Sequence, residues 1–183
     1  IIKEKSSNIK KIVEINWENL QDISGNFDWI FCCYTETSMG LKLSINDIDA
    51  LVFDFDGVLT DNTVFLNEEG KEWVRCNRGD GLAFNELEKL GVKSYILSAE
   101  KNKIVSARAN KLNIPALYGV SNKVDALQRL CIREDLDLSR VFYIGNDLND
   151  LEAMKISGFS ACPADSHPKI KGTATFKLKK NGG

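Results

Sequence analysis

An α/β fold, a parallel sheet flanked by helices, is predicted by three features of this sequence. Short apolar runs of strand length stand at Ala50 to Phe53, Val92 to Leu97, Ala116 to Tyr118, Val141 to Ile144 and Phe159 to Cys162. Stretches with helical periodicity lie between them, the alternation that builds parallel sheets. Polar residues rich in carboxylates follow several of these runs, where ligands sit in an open α/β sheet.

In chain order, composition shifts near residue 48. Ahead of it, Lys11 to Ile15 and Trp29 to Tyr34 read as strands and Trp17 to Ile23 as a short helix, without a chemical motif. Residues 1–47 are therefore expected to be a separate N-terminal segment, and residues 48–183 the α/β domain. The chain opens on Ile1 and closes on Gly182-Gly183, which suggests a piece of a longer gene product.

After the first strand, Thr63 to Leu66, the turn Asn67-Glu68-Glu69-Gly70, and Glu72 to Cys76 form a β-hairpin pattern. Placed directly behind the first carboxylates, it can act as a flap over them. Asp80 is expected to cap a helix that carries Leu82, Leu87 and Leu90 and stops at a left-handed Gly91. Val105, Ala109 and Leu112 share one helical face, as do Val124, Leu127, Leu130 and Cys131.

Bulk properties exclude several classes of function. The 183 residues are 43% hydrophobic, enough for one ordinary domain with a core. Twenty-four Lys and Arg against 26 Asp and Glu leave a net charge of −2, so no global basic field recruits nucleic acid. No apolar run approaches the roughly 20 residues that a membrane-spanning helix needs. The five cysteines include no CxxC pair and read as reduced thiols of a cytoplasmic protein.

Four polar places line up with strand ends or helix starts: Asp54-Phe55-Asp56-Gly57-Val58-Leu59-Thr60, Ser98, Lys123, and Gly145-Asn146-Asp147-Leu148-Asn149-Asp150. Carboxylates two residues apart at a strand end point the same way and repel unless a cation lies between them. Hard oxygen donors from Asp54, Asp56, Asn146 and Asp147 suit Mg²⁺. A calcium loop is excluded by spacing, because such loops place Gly sixth and Glu twelfth, whereas here Gly57 is fourth and Phe65 twelfth. Lys123 opens a helix, where the macrodipole disfavours a cation, so an anion is expected beside it.

With these residues in hand, the chain from about Ile48 onward resembles the haloacid dehalogenase (HAD) superfamily. Asp54 to Thr60 is similar to its first motif, Ser98 to its second, Lys123 to its third, and Gly145 to Asp150 to its fourth. The resemblance implies a HAD-like Rossmannoid sheet and a Mg²⁺-dependent phosphatase working through a phospho-aspartyl intermediate. Asp54 would be the nucleophile and Asp56 the acid/base. The metal would sit on the Asp54 carboxylate, the Asp56 backbone carbonyl and Asn146, with Asp147 as a further candidate. Ser98 and Lys123 would hold the phosphate, and Asp150 would orient Lys123 from behind. Many relatives carry Asp where this chain has Asn146, which lowers the negative charge available to the ion.

Only a hairpin and one helix separate Thr60 from Ser98, leaving no room for a cap domain. This is similar to the branch that holds octulosonate 8-phosphate phosphatases and the nine-carbon nononate and N-acylneuraminate 9-phosphate phosphatases, and that includes domains fused behind CMP-sialate synthetases. Ser98-Ala99-Glu100 in place of Thr-Gly-Arg, a Lys eleven positions on at Lys111, and Gly79 in place of an Arg before Asp80-Gly81 tilt the expectation to a nine-carbon keto-sugar phosphate in sialic acid biosynthesis. Thr60, Asp80, Glu100 and Lys111 are the expected substrate contacts. The alternatives are an octulosonate 8-phosphate phosphatase and a weakly active assembly domain behind a cytidylyltransferase. The resemblance also implies a homotetramer in which the hairpin and a glycine-rich tail approach a neighbour's site. His167, the single histidine, is read as a loop residue.

Overall fold

The computed structural model describes residues 43–183. The strands expected at Lys11 to Ile15 and Trp29 to Tyr34, and the helix at Trp17 to Ile23, lie outside the described residues. Strands β1 (Ala50–Phe53), β4 (Lys93–Leu97), β5 (Ala116–Leu117), β6 (Val141–Ile144), β7 (Phe159–Cys162) and β8 (Phe176–Lys177) form one sheet in the order β5-β4-β1-β6-β7-β8. Every pairing in it is parallel. The helices are α1 (Gly79–Lys89), α2 (Ile104–Leu112), α3 (Lys123–Glu134), α4 (Leu151–Ile156) and α5 (Pro168–Thr173). Among the described residues no helix is long and apolar enough to cross a membrane.

The sheet is covered on both faces, which is why its strands read as unbroken apolar runs. Successive residues of β1 alternate between two cores. Leu51 and Phe53 pack with Phe84 and Leu87 of α1 and Val105, Ala109 and Leu112 of α2. Ala50 and Val52 pack with Leu127 and Leu130 of α3, Met154 of α4 and Ile170 of α5. The chain leaves β1 in one direction through β4 and β5, then returns to pair β6 on the other side of β1. That reversal places a crevice at the carboxyl ends of β1 and β6.

Strands β2 (Thr60–Leu66) and β3 (Glu72–Cys76) form the separate antiparallel hairpin, in register Phe65 to Trp73 and Leu66 to Glu72, without a cap domain. It begins three residues earlier than its alternating pattern shows, because Thr60 already pairs with Cys76.

The end of α1 matches expectation, with Gly91 at φ 73° just after it, but its start does not. Asp80 lies inside the first turn and gives no capping bond; its carboxylate is drawn instead into a buried ion pair with Arg108 at 2.6 Å. Leu82 and Leu90 are exposed, so α1 buries a narrower stripe through Ala83, Phe84 and Leu87. The two-residue β8 carries too little pattern to be read beforehand.

Candidate active site

Two short loops build the centre of the crevice. The first leaves β1 at Asp54, and the Phe55 carbonyl accepts from the N–H groups of Val58, Leu59 and Thr60, folding the loop into a tight turn. Thr60 accepts from the Gly57 N–H at 3.1 Å through its hydroxyl and is fully buried, so it braces this loop and presents no surface to a substrate. The second loop leaves β6 at Gly145 and ends in a single turn, Leu148–Asp150, capped by the Asp147 carboxylate. The loops meet at Gly57, whose φ is 75° and where a Cβ would fall 1.9 Å from the Asn146 amide nitrogen. Any side chain there would displace Asn146.

Three charged side chains occupy the buried floor. Lys123 Nζ sits 2.8 Å from Asp54 Oδ1 and 2.7 Å from Asp150 Oδ1, and all three residues are at most 6% exposed. Asp150 also accepts from the Tyr143 hydroxyl at 2.8 Å and from the Asn146 and Asp147 N–H groups at 3.0 and 3.2 Å. This bonding makes Asp150 the post that fixes both Lys123 and the Asn146 loop. The anion expected beside Lys123 at the start of α3 is therefore a pair of carboxylates.

Were both carboxyls ionised, one ammonium would leave one excess negative charge in a dry place. Burial, reinforced by the Asp150 charge and opposed by Lys123, pushes the Asp54 carboxyl up to about 8. Asp56 is half-buried beside it. Burial raises its pKa, as do Glu100 and Glu72, while Lys123 pulls the other way. The two carboxyls thus differ in kind. Asp54 is anchored by the Phe55 N–H at 2.7 Å and by Lys123, whereas Asp56 is half-buried and its pKa is raised without such an anchor.

Ser98 is buried at the end of β4, its hydroxyl accepting from the Glu100 N–H at 3.1 Å. Glu100 accepts from the Asn102 N–H, and the Asn102 amide reaches Glu72 on the flap at 3.3 Å. Asp80 is clamped by Arg108, which also donates to the Asn77 carbonyl. Lys111 is exposed in the last turn of α2, about 10 Å along the helix axis from its start beside the Ser98 loop. Asp147 is exposed and accepts from the Leu148 N–H at 2.7 Å. His167 caps α5, and its N–H donates to the Asn146 carbonyl.

Several members of this network had no motif to mark them. Tyr143 reads as one more buried strand residue. Arg108 carries a legible signal, since it lies three residues after Val105 and four before Leu112, on the apolar face of α2, where a lone arginine requires a buried partner.

A parallel sheet that presents, at its switch point, an aspartate neutralised by a buried lysine defines an aspartate-centred α/β hydrolase. The chain belongs to the haloacid dehalogenase-like hydrolase family, whose profile matches residues 82–182. It is 31% identical over 152 residues to the 3-deoxy-D-manno-octulosonate 8-phosphate phosphatase KdsC of Escherichia coli, covering 82% of this chain and 81% of that protein. Among solved structures it is similar to a HAD family protein of Streptomyces avermitilis, with 41% identity, a TM-score of 0.76, and 79% and 83% of the two chains covered. It is also similar to the 3-deoxy-D-manno-octulosonate 8-phosphate phosphatase of Moraxella catarrhalis in complex with magnesium, phosphate and KDO, with 30% identity, a TM-score of 0.72, and 75% and 79% covered.

Proposed function

We propose that this chain is a Mg²⁺-dependent phosphatase that hydrolyses the phosphate monoester of an acidic keto-sugar of eight or nine carbons, with Asp54 as nucleophile. The observation that carries this reading is the Asp54–Lys123–Asp150 cluster, a buried carboxyl nucleophile beside a cation that it shares with a second carboxyl.

The residues present fit a magnesium ion. Asn146 Oδ1 is buried with no hydrogen-bond partner beside the Asp54 and Asp56 oxygens, and hard oxygen donors are what this ion selects. The Asp54 carboxylate, the Asp56 carbonyl and Asn146 Oδ1 would hold it. When bound, the ion offsets repulsion between the nucleophile and the phosphate.

Asp54 attacks phosphorus in line, and its P–O bond forms as the bond to the sugar oxygen breaks. Asp56, whose pKa is raised by burial and by Glu100 and Glu72, gives that oxygen its proton and then takes one from the water that cleaves the phospho-aspartate. Lys123 and Ser98 hold the phosphate oxygens, where charge-assisted bonds are strongest. Asp56→Asn should lower turnover by about 10²- to 10⁴-fold. A change of less than about tenfold would assign the acid to another group.

The relatives' names favour an eight-carbon substrate. A nine-carbon substrate is the second reading, favoured by Glu100, which stands at the flap-side mouth where octulosonate enzymes are expected to carry Arg. Phosphate release with Mg²⁺ from eight- and nine-carbon keto-sugar phosphates, repeated after chelation, tests both. No release from any of them would end the proposal. The implied homotetramer is supported by Val64, Phe65, Leu66 and Trp73 of the flap, all more than half exposed among the described residues, and a measured solution mass checks it.

A further inference from the structure

The C-terminal tail runs back to the loop that carries Asp56. Its residues pack on their own chain. The Leu178 N–H donates to the Cys162 carbonyl, the Lys180 carbonyl accepts from the Ala164 N–H, and the Gly182 N–H donates to Asp165 Oδ1 at 3.1 Å. The Gly183 N–H then donates to the Val58 carbonyl at 3.2 Å. Gly182 is buried. A Cβ on it would lie 2.1 Å from the Gly57 carbonyl oxygen and 2.9 Å from that of Thr60, and one on Gly183 would lie 2.7 Å from the Asp61 nitrogen. At Gly182 only backbone atoms are in the way, so the clash cannot be relieved by rotating a side chain.

We infer that Gly182 is a positioning residue for the general acid: its bare backbone, seated against the Gly57 and Thr60 carbonyls, sets how far the Asp56 loop reaches into the crevice. This rests on the proposed phosphatase reading. Thr60 and the Phe55 carbonyl fix the turn from inside, and the tail is its support from outside. The same strap ends against Asp61, which pairs with Arg75 of the flap at 2.7 Å, so the acid loop and the base of the flap share one brace. A side chain at position 182 pushes Gly57, and with it the neighbouring Asp56. A displacement of about 1 Å is enough to cost up to 10²-fold in a positioned catalytic step.

The chemistry supplies a readout that general loss of structure does not move. Departure of an alkyl oxygen from phosphorus needs a proton from Asp56, whereas a nitrophenolate leaves without one. Over the steps up to leaving-group departure, reported by kcat/KM, Gly182→Ala should lose about tenfold to a hundredfold on a sugar phosphate and at least about fivefold less than that on p-nitrophenyl phosphate, whose loss reports only the Asp56 carbonyl and Asn146 beside Gly57. Asp165→Ala, which frees the tail without adding bulk, should show the same selective loss to a smaller degree, and it decides the matter if Gly182→Ala does not fold. Equal losses on both esters, or none on either, would overturn the assignment. If the unmodified protein hydrolyses neither ester, the phosphatase reading fails instead.

Discussion

Asp54→Asn is expected to remove phosphate release by about 10⁴-fold or more, because an amide cannot form the covalent bond to phosphorus on which the route depends. The fold should survive, since the Phe55 N–H and Lys123 can both donate to the amide oxygen that replaces the carboxylate oxygen. Stability carries a second signature. A carboxyl whose pKa is raised in the fold binds its proton more tightly there than in the unfolded chain, so its contribution to stability is lost as pH rises from about 4 towards about 8. The metal-free Asn variant should therefore be more stable than the unmodified protein at neutral pH, with an advantage that shrinks towards pH 4. Denaturation curves across that range, beside a phosphate assay, check both halves. Turnover within about tenfold of the unmodified enzyme would remove Asp54 as nucleophile.

Lys123→Met should have the largest effect on stability. The ammonium is the cation shared by two buried carboxylates, and methionine keeps much of the length while leaving both anions unmatched. Removing one partner of a buried charge cluster typically costs about 3–5 kcal/mol. Because Asp54 takes up its proton below about 8 and then no longer needs a cation, the charge part of the penalty should fade as pH falls from about 8. A deficit that is the same at pH 4 and pH 8 would show that lost packing, not uncompensated charge, is responsible. Activity should fall with it, because the phosphate loses a cation that would hold its oxygens.

Much of the site was legible because its residues sit where a regular fold must put them. Asp54, Ser98 and Asn146 follow strands whose apolar runs are unmistakable, and Lys123 opens a helix whose polarity disfavours it. Residues whose roles depend on partners were harder to read. Asp80 has the type and place of a helix cap, yet a buried arginine on another helix claims it. Thr60 stands in the first motif and could have faced a substrate, but the loop folds over it and uses its hydroxyl internally. The Glu72–Asn102 link joins the flap to the Ser98 loop across thirty positions, and no periodicity announces it.

The sequence by itself determined the parallel sheet, the hairpin behind the first carboxylates and the order in which the four polar loops reach one edge, because strand and helix periodicity are local and strand ends are where such loops converge. Only the tertiary structure decided that Lys123 is shared between Asp54 and Asp150, that Arg108 takes Asp80, and that Gly182 returns to brace the acid loop. Each of these is a contact between distant segments, governed by burial and by the need of every buried charge or carbonyl for a partner, and that need is satisfied in space and not along the chain.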